Sequence, residues 1–143
     1  MSTSRRSPKV DWDECPCSGA TLARLIQPAI MTLLAGGALH GYWIVQRLAK
    51  TPLLGGSRPD PTGVYRMLRL MEKRRFVVSS WDLSDSGPAK RLYRLTPEGR
   101  QCLGRWVKTL ADYHRAIGRL LAAARQASAG RARQPRDRDK ERK

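Results

Sequence analysis

Apolar and polar positions recur with two different periods along this chain, and the change of period marks its elements. Between Asp60 and Lys73, Val64, Leu68 and Met71 recur at spacings of four and three, which places them on one side of a helix. Thr62, Arg66, Arg69 and Lys73 recur at similar spacings on another side. The first stripe can anchor the helix to a core, and the second presents a hydroxyl and cations to something acidic. Asp60 is placed to cap this helix, and Pro61 suits its first position, where a missing N–H costs nothing. After Arg75 the period shortens. Phe76-Val77-Val78-Ser79-Ser80-Trp81 favours a strand, Asp82 to Pro88 is turn chemistry, and Arg91-Leu92-Tyr93-Arg94-Leu95 returns as a second strand.

Upstream, Leu22, Leu25 and Ile26 begin an apolar helical face that Ile30, Leu33 and Leu34 continue. Pro28 between them kinks that helix or begins a new one, and Gly36-Gly37 ends it. A second helix is predicted over 41–50, with Tyr42, Ile44, Val45 and Leu48 turned inward, and residues 51–57 form the loop into the third. Downstream, Thr96 is a cap, Pro97 fits the first helical position, and Glu98 complements the helix dipole. Leu103, Leu110, Ile117 and Ala124 then follow at heptad spacing. Trp106 or Val107, Tyr113, and Leu120 or Leu121 fill the intermediate positions. A helix of about 30 residues, against an average of roughly 11–12, exceeds what one small domain covers, so this seam predicts dimerisation.

The order helix, helix, helix, hairpin is that of a winged helix-turn-helix. The expected fold is mainly α with a small two-stranded β-wing and a long C-terminal dimerisation helix. Four segments are expected. Residues 1–20 form a flexible arm that is acidic and bears cysteines, and residues 21–96 form a winged helix DNA-binding domain. The dimerisation helix covers 97–128, and 129–143 is a disordered basic tail.

Charge sharpens this picture. Lys and Arg outnumber Asp and Glu by 28 to 12, a net charge of +16, which points to a polyanion and most often to nucleic acid. No run of about 18 apolar residues is present, so no membrane span is expected. No secretory signal is expected from Met1-Ser2-Thr3-Ser4-Arg5-Arg6, and the odd cysteine count does not make a disulfide framework. Cytoplasmic localisation is the simplest expectation. No Ser–His–Asp spacing, paired carboxylates or glycine-rich phosphate loop suggests an enzyme.

The candidate DNA-binding residues are Thr62, Gly63, Tyr65, Arg66, Arg69 and Lys73 on the helix and Lys90 and Arg91 on the wing. Arg66 is the best base reader, because a guanidinium can bind guanine bidentately; Lys90 and Arg91 are expected at phosphate or in the minor groove. Tyr65 either offers its hydroxyl to phosphate or packs its ring between helices. His40 is expected to cap or pack, and His114 carries no role. Leu103, Trp106, Leu110, Tyr113, Ile117 and Leu121 form the expected dimer seam, where Trp106 and Tyr113 can also stack on a flat organic effector. DNA binding requires no cofactor on this reading. Cys15-Pro16-Cys17, beside Asp13 and Glu14, is a candidate metal, haem or thiol-redox sensor, although two thiols do not close a zinc site. A competing reading is a metal- or haem-binding adaptor that uses the winged helix for protein or RNA contacts.

Four local patterns resemble the PadR family of transcriptional regulators. Leu34 to Tyr42, ending Leu39-His40-Gly41-Tyr42, is similar to the family's junction of helices one and two. Tyr65-x-x-Leu68 followed by Met71-Glu72 resembles its recognition helix. Gly87 to Thr96 resembles the wing and its second strand, and Glu98-Gly99 then opens the last helix as in the family. The resemblance covers about residues 25–125. It implies a homodimer joined through the C-terminal helix and the N-terminal helical region. Each subunit would carry one winged helix on double-stranded DNA, acting as a repressor released by a small molecule or other signal. Two positions depart from the pattern: Arg66 stands where the family often has Pro, and Arg75 where it usually has Gly. The stop of the recognition helix must therefore be made by other means.

Overall fold

A computed structural model describes residues 9, 11–13, 16–54, 59–83 and 89–131. The described residues fall into two compact units, one reaching Leu103 and one beginning at Gly104.

In the first unit, short 3-10 turns over Pro16–Ser18 and Ala20–Leu25 lead into helix α1, Ile26–Ala35. Pro28 is the third residue of α1. It starts a new helix rather than kinking an old one, because backbone N–H groups of the first turn have no intrahelical acceptor to lose. Strand β1, Leu39–His40, comes next and runs directly into α2, Gly41–Lys50. Ile44 and Leu48 of α2 are buried, whereas Tyr42 is 60% exposed, against the inward placement expected of it. The cause is angular: Tyr42 precedes Ile44 by two residues, or about 200° around a helix, so the two cannot share a face. A 3-10 turn over Pro52–Leu54 buries Leu54 and precedes α3, Pro61–Lys73. Residues 55–58 of the expected loop lie outside the described residues.

Asp60 caps α3 through its carboxylate, which accepts from the Thr62 amide at 3.3 Å. Val64, Leu68 and Met71 are buried, as the four-three stripe requires. The helix stops without a glycine. Arg75 adopts a left-handed backbone with φ 65°, its amide donates to Glu72 O at 3.0 Å, and the Phe76 amide donates to Met71 O at 2.9 Å. These are the two reversed bonds of a Schellman stop, made here by an arginine.

Strands β2, Val77–Asp82, and β3, Lys90–Leu95, form the wing. Ser84 to Pro88, expected to turn between them, lie outside the described residues. The two strands pair antiparallel with Val77 opposite Leu95, Ser79 opposite Tyr93 and Trp81 opposite Arg91. The expected hairpin gains a third strand, since β1 pairs with the other edge of β3, Leu39 opposite Tyr93 and His40 opposite Leu92. One wing face therefore grades from core to solvent. Val77, Leu95 and Tyr93 are buried, Ser79 is half-buried, and Trp81 and Arg91 are exposed.

Helix α4 covers Pro97–Arg131. Its start is welded to the stop of α3. The Thr96 amide donates to Phe76 O at 3.0 Å, the Thr96 hydroxyl lies within donating distance of both Arg75 O and Phe76 O, and Thr96 Oγ1 accepts from the Gly99 amide at 2.9 Å. The helix passes the expected end at residue 128 and takes in Ala129, Gly130 and Arg131; the rest of the basic tail lies outside the described residues. No helix among the described residues is long and apolar enough to cross a membrane.

Candidate nucleic-acid interface

Helix α3 carries three stripes. Val64, Leu68 and Met71 face the core; Thr62, Arg66, Arg69 and Lys73 are all exposed on the other side. Between them run Tyr65 and Glu72, which look toward the wing and the start of α2. Gly63 is half-buried, and a side chain placed there would meet nothing within 4 Å. The cations of the outer stripe have no ion pair among the described residues, so their charge is uncompensated at short range.

The Tyr65 ring is packed along one edge, which leaves the role of its hydroxyl open to a phosphate contact. Tyr65 is 37% exposed, yet its ring rests on Gly41: a Cβ at residue 41 would sit 2.7 Å from Tyr65 Cε1 and 3.3 Å from Tyr93 Cε2. The Gly in Leu39-His40-Gly41-Tyr42 is therefore favoured by the close approach of two aromatic rings rather than by an unusual backbone. Tyr93 behind it is buried, and burial pushes its hydroxyl pKa above 10.0. Glu72 and Tyr65 push in the same direction, while Arg91 and Arg69 oppose.

His40 precedes α2 but its side chain makes no cap; its Nε2 lies 2.9 Å from Asp82 Oδ2. The residue expected to cap or pack instead ties the β1–α2 junction to the end of β2. On the wing, Arg91 Nε donates to Ser79 Oγ at 3.0 Å and its guanidinium carbon stands 5.3 Å from the Trp81 ring centroid. Lys90 is exposed. His40, Gly41, Tyr42, Trp43, Tyr65, Lys90, Arg91 and Tyr93 surround a cleft of about 350 Å³ between α2, α3 and the wing. Tyr42 and Trp43 pack edge to face at 5.5 Å between centroids. Both are surface residues, Tyr42 against its expected inward placement. The signal that finds them is their angular distance from Ile44 and Leu48.

The remaining candidates lie elsewhere. Cys15 lies outside the described residues, and Cys17 is exposed on the turn Pro16–Ser18. Among the described residues, no three His, Cys, Asp or Glu side chains come together as a metal group would require. Along α4, Leu103, Trp106 and Leu110 are half-buried, while Tyr113, Ile117 and Leu121 are exposed.

Residues 30–105 match the PadR-like family of transcriptional regulators, and the chain belongs to that family. Transcriptional regulator Rv3488 of Mycobacterium tuberculosis is 32% identical over 83 residues, which span 58% of this chain and 73% of that protein. The protein TA0346 of Thermoplasma acidophilum has a similar structure. Its TM-score is 0.62 at 26% identity, over 71% of this chain and 95% of that one. Bacillus subtilis PadR, solved in complex with operator DNA, is similar with a TM-score of 0.53 at 27% identity, over 59% of this chain and 46% of that one.

Proposed function

We propose that this protein is a sequence-specific regulator of transcription that binds duplex DNA as a homodimer and acts as a repressor. The observation that carries the reading is the exposed stripe Thr62, Arg66, Arg69 and Lys73 on the side of α3 away from Val64, Leu68 and Met71, flanked by the wing cations Lys90 and Arg91. A helix of this kind fits the major groove. Arg66, with Thr62 and Arg69, reads base edges; Tyr65, Lys73 and Lys90 contact phosphates and set the register. The PadR relative solved in complex with operator DNA supports duplex DNA as the partner.

The test is fluorescence anisotropy on DNA from upstream of the protein's own gene against scrambled DNA of equal length, across a salt series. Preference for the upstream DNA that survives raised salt is the expected result. Equal loss on both would mean only that a chain of net charge +16 met a polyanion. Arg66→Ala should relax the preference by about 1–3 kcal/mol, the worth of one bidentate base contact. An Arg66→Ala protein that keeps its full preference would remove Arg66 from the reading.

For the releasing signal, the reading retains Cys15 and Cys17, and the exposure of Cys17 supports access from solvent. Replacing both by Ser should abolish release by whichever of zinc, haem or a thiol oxidant proves active. Release by each of these unchanged in the double variant would move the sensor elsewhere on the chain.

A further inference from the structure

The wing cation is held by a relay from the recognition helix. Arg91 Nε donates to Ser79 Oγ at 3.0 Å, and the Ser79 hydroxyl donates to Glu72 Oε2 at 2.6 Å. A hydroxyl has one hydrogen, so donation to the carboxylate turns a lone pair toward Arg91 and fixes the direction of the relay. Both links have a charged end, which strengthens them. Trp81 covers one face of the same guanidinium at 5.3 Å. Three elements thereby meet at one side chain: Glu72 from α3, Ser79 and Trp81 from β2, and Arg91 from β3. The terminal NH2 groups of Arg91 have no partner among the described residues and remain for an anion.

We propose that Glu72 and Ser79 are positioning residues for Arg91, fixing the wing cation relative to Arg66 and Arg69 so that wing and helix meet one DNA duplex as a unit, Arg91 at a phosphate. An exposed arginine ordinarily loses rotamer freedom when it meets a phosphate; Arg91 has surrendered it beforehand. The inference rests on the DNA-binding reading above. It differs from the plain expectation that Arg91 is one more mobile surface cation.

The experiment uses the full chain and a mixed-sequence 30-base-pair duplex, since a phosphate contact needs no particular sequence. Arg91→Ala should weaken binding and lower the magnitude of the salt slope by about one. Ser79→Ala leaves every charge in place and should weaken binding by about two- to tenfold, the worth of one hydrogen bond. In an Arg91→Ala background Ser79→Ala should then change nothing. A merely structural Ser79 would cost the same in both backgrounds, and that additivity would overturn the proposal, as would tighter binding by Ser79→Ala. A second readout needs no DNA: the Arg91 Nε–Hε NMR signal should be ordered in the unaltered protein and become mobile in Ser79→Ala. Equal mobility in both would overturn the proposal as well. Binding of the duplex without sequence preference would sink the specificity reading alone, and the cycle would still decide this one. No duplex binding at all would sink both.

Discussion

Gly99 lies so close to the carbonyl of Phe76 that a Cβ at residue 99 would sit 2.1 Å from that oxygen and 2.7 Å from Leu95 Cδ1. Helix propensity alone says that Gly99→Ala, in the first turn of α4, should stabilise by about 0.5–1 kcal/mol. The contact reverses the sign, because the obstacle is a backbone carbonyl held by the Thr96 amide at 3.0 Å. Gly99→Ala should lower stability by about 1–3 kcal/mol, the usual range for overpacking. Urea denaturation of the two proteins side by side checks it, and a gain in stability would show that α3 and α4 join less tightly than the Thr96 bonds imply.

Arg75 should respond in the opposite direction. A left-handed backbone costs an L-residue roughly 1–2 kcal/mol, and Arg75 stands there at φ 65°. Glycine removes that cost while adding about 0.5–1 kcal/mol of backbone entropy. Arg75→Gly should therefore stabilise by up to about 1 kcal/mol, seen as a rise of a few degrees in Tm. Arg74→Gly, one residue earlier at φ −83°, should lose stability and serves as the control.

These two residues mark the limit of what the sequence made legible. The core stripe of α3, the cap at Asp60, the two long strands and the start of α4 were all readable, because each rests on spacing or capping within a few residues. That Arg75 departs from a glycine pattern was visible, but not that it would adopt the glycine conformation itself. Strand β1 was not visible. It has two residues, and what makes it a strand is pairing with Leu92 and Tyr93 far along the chain. The His40–Asp82 pair and the Glu72–Ser79–Arg91 relay were hidden for the same reason: their partners meet only once the sheet is registered.

Gly41 and Tyr65 can be tested as a pair. Gly41→Ala places a methyl group 2.7 Å from Tyr65 Cε1, so the ring must move outward, toward the exposed stripe of α3. Destabilisation of about 1 kcal/mol is expected. Because Tyr65 is the nearer obstacle, the loss should shrink in a Tyr65→Ala background. A double-mutant cycle in denaturant measures this coupling. Additive losses would mean that Tyr93, not Tyr65, sets the clearance at Gly41.

Tyr93 gives the fold an alkaline limit. Burial, first among the causes, raises its pKa in the folded state above the ordinary 10.0. The folded state therefore favours the neutral phenol. Stability from this group is present in full below pH 10 and is lost as pH rises through 10 toward the folded pKa, because the unfolded chain releases its proton first. Unfolding free energies measured from pH 8 to pH 11 should fall more steeply for the unaltered protein than for Tyr93→Phe, which has no proton to lose. Parallel curves would show that the phenol is solvated well enough to ionise in place.

The seam on α4 yields the prediction that bears on assembly. The helix covers 35 residues, about 50 Å at 1.5 Å per residue, and one side of it carries Trp106, Leu110, Tyr113, Ile117 and Leu121. In the single chain Ile117 is 61% exposed, Tyr113 48% and Leu121 47%. Burying side chains of this size against a second copy contributes roughly 1.5–3 kcal/mol each, whereas a carboxylate at the same position would have to be desolvated with no partner. Ile117→Asp should therefore shift the protein from dimer to monomer in sedimentation equilibrium. It should also weaken binding to a DNA site containing two half-sites far more than binding to one half-site. Arg119→Ala, on the opposite side of the helix, should leave the mass unchanged. If Ile117→Asp also stays dimeric, the seam is not the interface, and the exposed apolar side of α4 serves some other contact.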